Sequence, residues 1–294
     1  MIETGFARAK INISLDITSK LDNGFHCMKM VMQTVGLCDE ISVECEPGEG
    51  FAIDPGMPFL PPDERNTAAK AAQLFFGYTG ISGYRTRIRV RKKIPVCAGL
   101  GGGSADGACV LRLLDTMFAT GLKCCELEKI GGAIGSDVPF CVAGGTALAG
   151  GRGDLLTALP PIPPCHIVIC KPPFANSTPE LFKRVKCEKI RSRPDTEGII
   201  AALGKGSIGD VARRMDNVFE DILTRGAKEI ADIKFSMLDH GALGSVMTGT
   251  GPAVFGMFDD GAKAREAYER LNTRYRESYL TETAGRLDGY TDGC

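Results

Sequence analysis

A glycine-rich run between residues 95 and 108 constrains the fold of this chain more than any other segment. Glycine occupies four of the five positions from Gly99 to Gly103, and it lets the backbone adopt positive φ angles and turn its N–H groups outward. Ser104 is predicted to be the N-cap of a helix that continues to Ala119 and points its positive dipole end at the loop. Such a loop favours a bound polyphosphate. It lacks the Gly-Lys-Ser/Thr ending of a Walker loop.

Length and charge limit the class of protein. The 294 residues allow one large domain or two medium ones. The net charge of −1 gives no indication of a nucleic-acid or membrane-surface binder, and no apolar run is long enough to span a bilayer. No signal peptide is predicted. We therefore expect a cytoplasmic monomer or homodimer that acts on a small molecule, without a nucleic-acid or membrane partner.

The twelve cysteines do not form a recognisable disulfide or metal-binding pattern. Cys109, Cys141 and Cys170 lie in apolar stretches, where a free thiol behaves as a small hydrophobic group. Cys124 and Cys125 are adjacent rather than in a CxxC motif, and only three histidines are available as ligands. We expect a reduced chain with no metal site of its own.

Helical and strand patterns are mixed along the chain without a βαβ rhythm, which predicts an α+β fold. The first strand, Ala9–Ile17, alternates so regularly that Ile11, Ile13, Leu15 and Ile17 are expected on one buried face. The segments 28–37 and 40–46 are predicted as two further strands. A later strand, Arg85–Arg91, has four arginines on one face, and this pattern favours a solvated sheet face over a nucleic-acid surface.

A proline-dense segment, Leu159–Pro164, marks the best domain boundary because it suits neither a helix nor a central strand. We therefore expect two domains, residues 1–158 and 159–294. The second half contains a short glycine loop, Thr248–Gly251, between two predicted strands.

Three separated segments carry groups suited to one chemistry. Lys10 and Asn12 lie on the same face of the first strand, about 7 Å apart. The glycine-rich loop supplies backbone donors, and Asp137 lies in an otherwise apolar segment, 135–140. Phosphoryl transfer needs held phosphates, compensating charge and a group that positions the attacking hydroxyl. Alternatively, Lys10 is an ordinary strand lysine and Asp137 caps the following turn.

These motifs resemble those of the GHMP kinase superfamily, and the resemblance covers most of the chain. It is closest to the branch whose substrate is a cytidine diphosphate-linked methylerythritol. The matching segments are Ala9–Asn12, Gly24–His26, Pro95–Ala108, Gly135–Phe140, Gly144–Ala147, Gly151–Gly153 and Thr248–Pro252.

The resemblance implies a two-domain GHMP kinase fold with its active site in the cleft between the domains, and both ATP and Mg²⁺ as cofactors. It implies phosphorylation of the 2-hydroxyl of the cytidine-linked alcohol in non-mevalonate isoprenoid precursor biosynthesis. Lys10 and Asp137 match the catalytic pair. The positions that match nucleotide-binding residues are Asn66, Lys92, Pro95, Val96, Cys97, Ala98, Gly99, Leu100, Gly101, Gly102, Gly103, Ser104 and Ala105. Those that match the substrate-cytidine positions are Asn12, Phe25, His26 and Phe182, with two rings around the base and His26 at its edge.

The chain departs from the family pattern at three places. Ala105 replaces a second serine after the loop glycines, Leu21-Asp22-Asn23 replaces Arg-Pro-Asp, and Phe25 replaces the commoner tyrosine. These departures bear on substrate affinity. Two alternatives remain: a GHMP kinase for phosphomevalonate, homoserine or a sugar, and a non-catalytic nucleotide-binding protein.

Overall fold

The computed structural model describes residues 1–21 and 24–287. The departure at Asp22 and Asn23 therefore lies outside the described residues. The strands are β1 (Ile2–Lys20), β2 (His26–Pro47), β3 (Phe51–Asp54), β4 (Tyr84–Arg91), β5 (Thr146–Gly150), β6 (Leu155–Ala158), β7 (His166–Lys171), β8 (Asp216–Asn217), β9 (Gly244–Met247), β10 (Val254–Phe258) and β11 (Glu277–Glu282). The α-helices are α1 (Thr67–Thr79), α2 (Gly102–Phe118), α3 (Cys124–Gly132), α4 (Val138–Ala143), α5 (Thr178–Arg184), α6 (Thr196–Gly204), α7 (Ile208–Ala212), α8 (Ala227–Asp239) and α9 (Gly261–Asn272).

Two sheets organise the described chain. The first has seven strands, five of them in the order β3-β4-β2-β1-β8, while β5 pairs with β2 and β6 pairs with β5. The second has four antiparallel strands in the order β11-β7-β10-β9. The proline segment 159–164 separates β6 from β7, yet β8 returns to pair with β1 in the first sheet. The expected α+β mixture of helices and sheets is confirmed.

Strand β1 is more buried than its alternating pattern predicts. Every residue from Ala9 to Ile17 is buried, because neighbouring strands flank this part of β1 and α2 packs on it. The expectation of one shared apolar face is also wrong. A register shift between Asn12 and Ser14 inserts one extra residue into β1, and such a bulge exchanges the two faces of a strand. Ile11 and Ile13 therefore belong to one core cluster, and Leu15 and Ile17 to another.

Two further predictions need correction. The two strands expected over 28–37 and 40–46 form the single strand β2, because its residues Cys38 and Asp39 stay paired with β1. Helix α2 begins at Gly102 with Gly101 as its N-cap, so Ser104 is its third residue and not its cap. Gly101 has a φ of +68°, a conformation that glycine adopts easily, and it caps the helix three residues before the predicted serine cap.

The arginine row of β4 is a solvated face, as predicted. All four side chains are exposed, and Arg85, Arg87 and Arg91 pair with glutamates of the adjacent strand β2. Pairs this exposed contribute about 0–1 kcal/mol each. Within the described residues, no helix is both long and apolar enough to cross a membrane.

The cysteines mostly match their prediction. Cys109, Cys141 and Cys170 are buried free thiols. Burial raises the pKa of Cys109 to about 11 and that of Cys141 to about 12, so these thiols stay protonated and inert near neutral pH. Cys125 is disulfide-bonded, and the expectation of a fully reduced chain is wrong at this residue.

The glycine-rich loop is held by apolar residues within it and just before it. Ile94, Ala98 and Leu100 are almost fully buried and belong to the same core cluster as Ile11 of β1. That cluster also contains Ile169 of β7 and other residues of the second sheet. The loop is therefore fixed between the first strand and the second sheet, which leaves its glycine backbone to line the surface.

Gly99 provides a test of this packing. It has a φ of +79°, and a Cβ there would lie 2.1 Å from the carbonyl oxygen of Thr248. We expect Gly99→Ala to lower the free energy of unfolding by about 1–3 kcal/mol, measured by urea denaturation. Gly77→Ala is the control, because Gly77 is exposed within α1 with nothing near its missing Cβ. It should raise stability by about 0.5–1 kcal/mol. A Gly99 variant as stable as wild type would contradict the proposed seating of the loop.

Candidate active site

The start of α2 presents free backbone donors. The N-cap of this 17-residue helix is Gly101, which has no side chain to accept hydrogen bonds from the first turn. The first intrahelical bond runs from the Ala105 N–H to the Gly101 carbonyl, so the N–H groups of Gly102, Gly103 and Ser104 precede the hydrogen-bonded ladder. The helix dipole adds partial positive charge at this end. Together these groups form a site for an anion.

The loop is seated by contacts at both sides of Gly99. The Lys10 N–H donates to the Leu100 carbonyl at 3.0 Å, and the Ala253 N–H donates to the Ala98 carbonyl at 3.2 Å. The second glycine loop, 248–251, closes against the first so tightly that neither Gly99 nor Gly249 has room for a Cβ. The two glycine loops predicted from the sequence therefore lie in contact.

Lys10 and Asp137 meet beside the glycine-rich loop. The Lys10 Nζ lies 3.5 Å from Asp137 Oδ2 and donates to Asn12 Oδ1 at 2.7 Å. The side chain of Lys10 is 5% exposed and that of Asp137 is 32% exposed, so the acid is the member of the pair that solvent reaches. Asp137 occupies the N-cap position of α4 but makes no side-chain capping bond. This geometry disfavours the alternative that Asp137 is only a structural cap.

Asn12 lies beneath this pair. It is fully buried. Its backbone N–H donates to Thr248 Oγ1 at 3.0 Å, and its side-chain amide faces the Met30 sulfur at 3.4 Å. Asn12 is absent from the wall of the pocket described below. In this structure its Oδ1 accepts from the Lys10 ammonium and so orients it.

A pocket of about 910 Å³ contains Lys10, Asp137 and the surface of both glycine loops. Of the nucleotide positions expected from the resemblance, it exposes Cys97, Gly99, Gly101 and Ser104. Pro95, Ala98 and Leu100 are buried and anchor the loop from below, and Val96 is half-buried outside the wall. Gly102 and Gly103 lie at the start of α2, where their backbone N–H groups are the relevant feature.

The far end of the pocket is aromatic. The rings of His26 and Phe182 lie 5.3 Å apart, and Phe182 contacts Phe219 edge-on at 5.1 Å. Phe25 is 55% exposed, with the Arg152 guanidinium 5.3 Å from its ring centre. The expected substrate residues Phe25, His26 and Phe182 therefore do line one wall. Burial, followed by the nearby charge of Lys20, lowers the pKa of His26 below 6.5, so a neutral imidazole faces the pocket near pH 7.

Two expected nucleotide residues occupy other places. Asn66 is the N-cap of α1, where its side chain accepts from the Ala68 N–H. The Lys92 Nζ is buried between Asp39 and Asp106. Neither residue lies in the pocket wall.

Ala105 also differs from its expected setting. It is 1% exposed and belongs to the main core cluster. A side chain at position 105 points into the core and not into the pocket. A serine hydroxyl at position 105 would therefore not be part of the pocket wall.

Two asparagines of the second half support the site and were missed from the sequence. The buried Asn217 amide donates to the carbonyls of Met247 and Gly249 at 2.7 and 2.8 Å. Asn176 donates to the Thr250 carbonyl at 2.8 Å. Both fix the second glycine loop from outside it. Neither carries a local motif, since their role depends on the distant loop that folds against them.

The described residues contain no group of three or more His, Cys, Asp or Glu side chains able to hold a metal ion. Asp137 is the sole carboxylate in the described pocket wall. Mg²⁺ in kinase sites binds through one or two carboxylates together with the phosphates of the substrate. This wall fits an ion that enters with a nucleotide.

Family models match both halves of the chain. The model described as "GHMP kinases N terminal domain" matches residues 66–145, and the model described as "GHMP kinases C terminal" matches residues 199–277. The first match contains the glycine-rich loop and Asp137. The second contains the 248–251 loop.

Named relatives extend the similarity to nearly the whole chain. A 4-diphosphocytidyl-2-C-methyl-D-erythritol kinase of Clostridium botulinum (strain Loch Maree / Type A3) is 41% identical over 277 residues, which cover 94% of this chain and 98% of the relative. The kinase of the same name from strain Eklund 17B / Type B is 42% identical over equal coverage.

Solved structures give the same result for the fold. A crystal structure of 4-(cytidine 5'-diphospho)-2C-methyl-D-erythritol kinase aligns with a TM-score of 0.81 at 29% identity, covering 96% of this chain and all of that one. A homoserine kinase from Cytophaga hutchinsonii aligns with a TM-score of 0.75 at 20% identity, covering 98% of this chain and 96% of that one. The second similarity concerns the fold alone.

Proposed function

The chain belongs to the 4-diphosphocytidyl-2-C-methyl-D-erythritol kinase family of the GHMP kinases, and we propose that it transfers the γ-phosphoryl group of ATP to the 2-hydroxyl of that cytidine-linked alcohol. It is an ATP-dependent phosphotransferase of non-mevalonate isoprenoid biosynthesis. The observation that carries the assignment of the site is the single pocket that joins the start of α2, the Lys10–Asp137 pair and an aromatic wall.

The proposed reaction uses these groups in sequence. The backbone N–H groups at the start of α2 hold the polyphosphate of ATP, and Lys10 places positive charge beside it. Asp137 accepts the proton of the 2-hydroxyl while the hydroxyl oxygen of the substrate bonds to the γ-phosphorus. The bond from that phosphorus to the bridging oxygen breaks, and ADP leaves. When bound with the nucleotide, Mg²⁺ would be held mainly by the phosphates, with Asp137 the one carboxylate of the described wall beside them, and it would supply positive charge there.

The aromatic wall is assigned to the cytidine. The rings of His26 and Phe182 already touch, so a base has no space between them. We propose that cytosine stacks between Phe182 and the exposed ring of Phe25, while the edge of His26 bonds its polar groups. A neutral imidazole suits this task because it both donates and accepts a hydrogen bond.

The two-domain division at residue 159 is supported by the separate family matches on either side of it. We also propose a cytoplasmic location, which the use of ATP and of a nucleotide-linked alcohol supports. We propose a monomer or a homodimer.

A panel of acceptors tests the substrate. ATP consumption is measured with 4-diphosphocytidyl-2-C-methyl-D-erythritol, methylerythritol phosphate, homoserine and phosphomevalonate. We expect turnover with the first alone, because loss of the cytidine removes the binding energy that positions the reacting hydroxyl.

A stacking variant tests the aromatic wall. Phe182→Ala should raise KM for the cytidine-linked alcohol by roughly 5- to 150-fold, the change that corresponds to the free energy of one base-stacking contact. KM for ATP should be unchanged.

Phe235→Ala is the control for the stacking variant, since Phe235 is 70% exposed on α8 and lies outside the pocket. It should change neither KM. Equal turnover of the cytidine-linked alcohol and methylerythritol phosphate would exclude the cytidine pocket. Turnover of homoserine or phosphomevalonate alone would place the chain with another GHMP activity.

A second prediction concerns the proton acceptor. Asp137→Asn keeps the size of the side chain but cannot take a proton, so kcat should fall by roughly 10²- to 10⁴-fold. ADP affinity, measured by calorimetry, should stay within about twofold, because the phosphate site is made of backbone donors.

The matched control is Asp260→Asn, since Asp260 is the N-cap of α9 and asparagine caps a helix equally well. Its kcat should equal that of wild type. An Asp137 variant with wild-type kcat would reduce this residue to a structural role.

A further inference from the structure

The glycine-rich loop has a buried polar group beneath it that the proposed reaction does not use. Asp39, on β2, is fully buried. Its Oδ1 accepts the backbone N–H groups of Lys93 at 2.5 Å and Ile94 at 2.8 Å. These two residues immediately precede the loop, so Asp39 fixes the chain where it enters the loop.

Through Lys92, Asp39 is also linked to the start of α2, where the chain leaves the loop. The Lys92 Nζ donates to Asp39 Oδ2 at 2.5 Å and to Asp106 Oδ2 at 2.8 Å. Asp106 lies in the second turn of α2, and all three side chains are less than 8% exposed. Both ends of the segment 95–101 are thus tied to one buried ammonium and its two carboxylates.

Burying these three charged side chains carries a large desolvation penalty, so the arrangement is a poor way to stabilise the fold. Two carboxylates share one ammonium, and Asp106 Oδ1 has no hydrogen-bond partner within the described residues. Burial, with the charge of Asp39 adding to it and Lys92 opposing it, raises the pKa of Asp106 to about 7. Buried ionic groups are often less stabilising than apolar side chains of the same size. A partly satisfied polar network therefore needs a reason other than stability.

We propose that Asp39, Lys92 and Asp106 form a clasp whose role is to hold the glycine-rich loop in the conformation that binds the polyphosphate. The inference rests on the proposed function in one respect, the binding of a nucleotide by this loop. The three residues are positioning residues, since none lies in the wall of the pocket. The Lys92 ammonium lies next to Gly102, since a Cβ at Gly102 would be 3.4 Å from Lys92 Nζ. The clasp thus lies directly under the first N–H groups of α2.

Two substitutions of Asp106 separate a clasp from a structural ion pair. Asp106→Leu removes the tie to α2, and we expect Kd for ADP and KM for ATP to rise at least tenfold. KM for the cytidine-linked alcohol should stay within twofold. Asp106→Asn keeps an oxygen that accepts from Lys92, so its Kd for ADP should stay within threefold of wild type. Calorimetry gives Kd, steady-state kinetics gives KM, and thermal unfolding gives Tm.

Asp115→Leu is the matched control at the other end of α2. Asp115 accepts from Thr120 Oγ1 and the Leu122 N–H, so its loss should lower Tm and leave Kd for ADP unchanged. If Asp106→Leu does not fold, the pair variant Lys92→Met with Asp106→Leu takes its place. That variant leaves Asp39 its two backbone donors, and it should show the same loss of ADP affinity.

The outcomes distinguish the clasp from the proposed function. Wild-type ADP affinity in Asp106→Leu, or a Tm loss without a change in Kd, overturns the clasp. An equal loss of ADP affinity in Asp106→Asn also overturns the clasp, because that variant keeps the hydrogen bond from Lys92 to position 106. A wild-type protein that fails to bind ADP at all overturns the proposed function instead.

Discussion

The close approach of the Gly99 backbone to the Thr248 carbonyl is the contact on which the site depends. A single added carbon at Gly99 would lie 2.1 Å from that oxygen. Through this contact the loop before α2 and the loop between β9 and β10 come together against β1, although they lie about 150 residues apart in sequence. Thr248 Oγ1 also accepts from the Asn12 N–H. The phosphate site, the Lys10 strand and the second sheet are thereby fixed relative to one another.

The chemistry of the pocket follows from where its charges are buried. The ammonium of Lys10 is already desolvated and held by Asn12 and Asp137. A fixed charge in a low-dielectric site needs little reorganisation when charge develops on a phosphate. Asp137 remains partly exposed, and this allows it to meet an incoming hydroxyl. The aromatic wall, lined by Phe25, by His26 of β2 and by Phe182 of α5, places a stacking surface at the other end of the same pocket.

The sequence predicted those parts of the site that local patterns encode. The glycine run, the Lys10 strand and the Asp137 segment each have a short-range signature, and the structure brings them together. The helix start was placed wrongly at Ser104, because the positive φ of Gly101 begins the helix earlier. The burial of Ala105, the bulge in β1 and the supporting role of Asn217 were not predictable. Each depends on packing between segments that are distant in the chain.

Amide hydrogen exchange with and without ADP tests the central claim most directly. If the start of α2 and the adjoining glycine loop form the nucleotide site, ADP should slow exchange in segments 99–106 and 248–251. The cytidine-linked alcohol should instead protect segments 24–28 and 178–185. Protection by ADP elsewhere, with unchanged exchange in both glycine loops, would contradict the account.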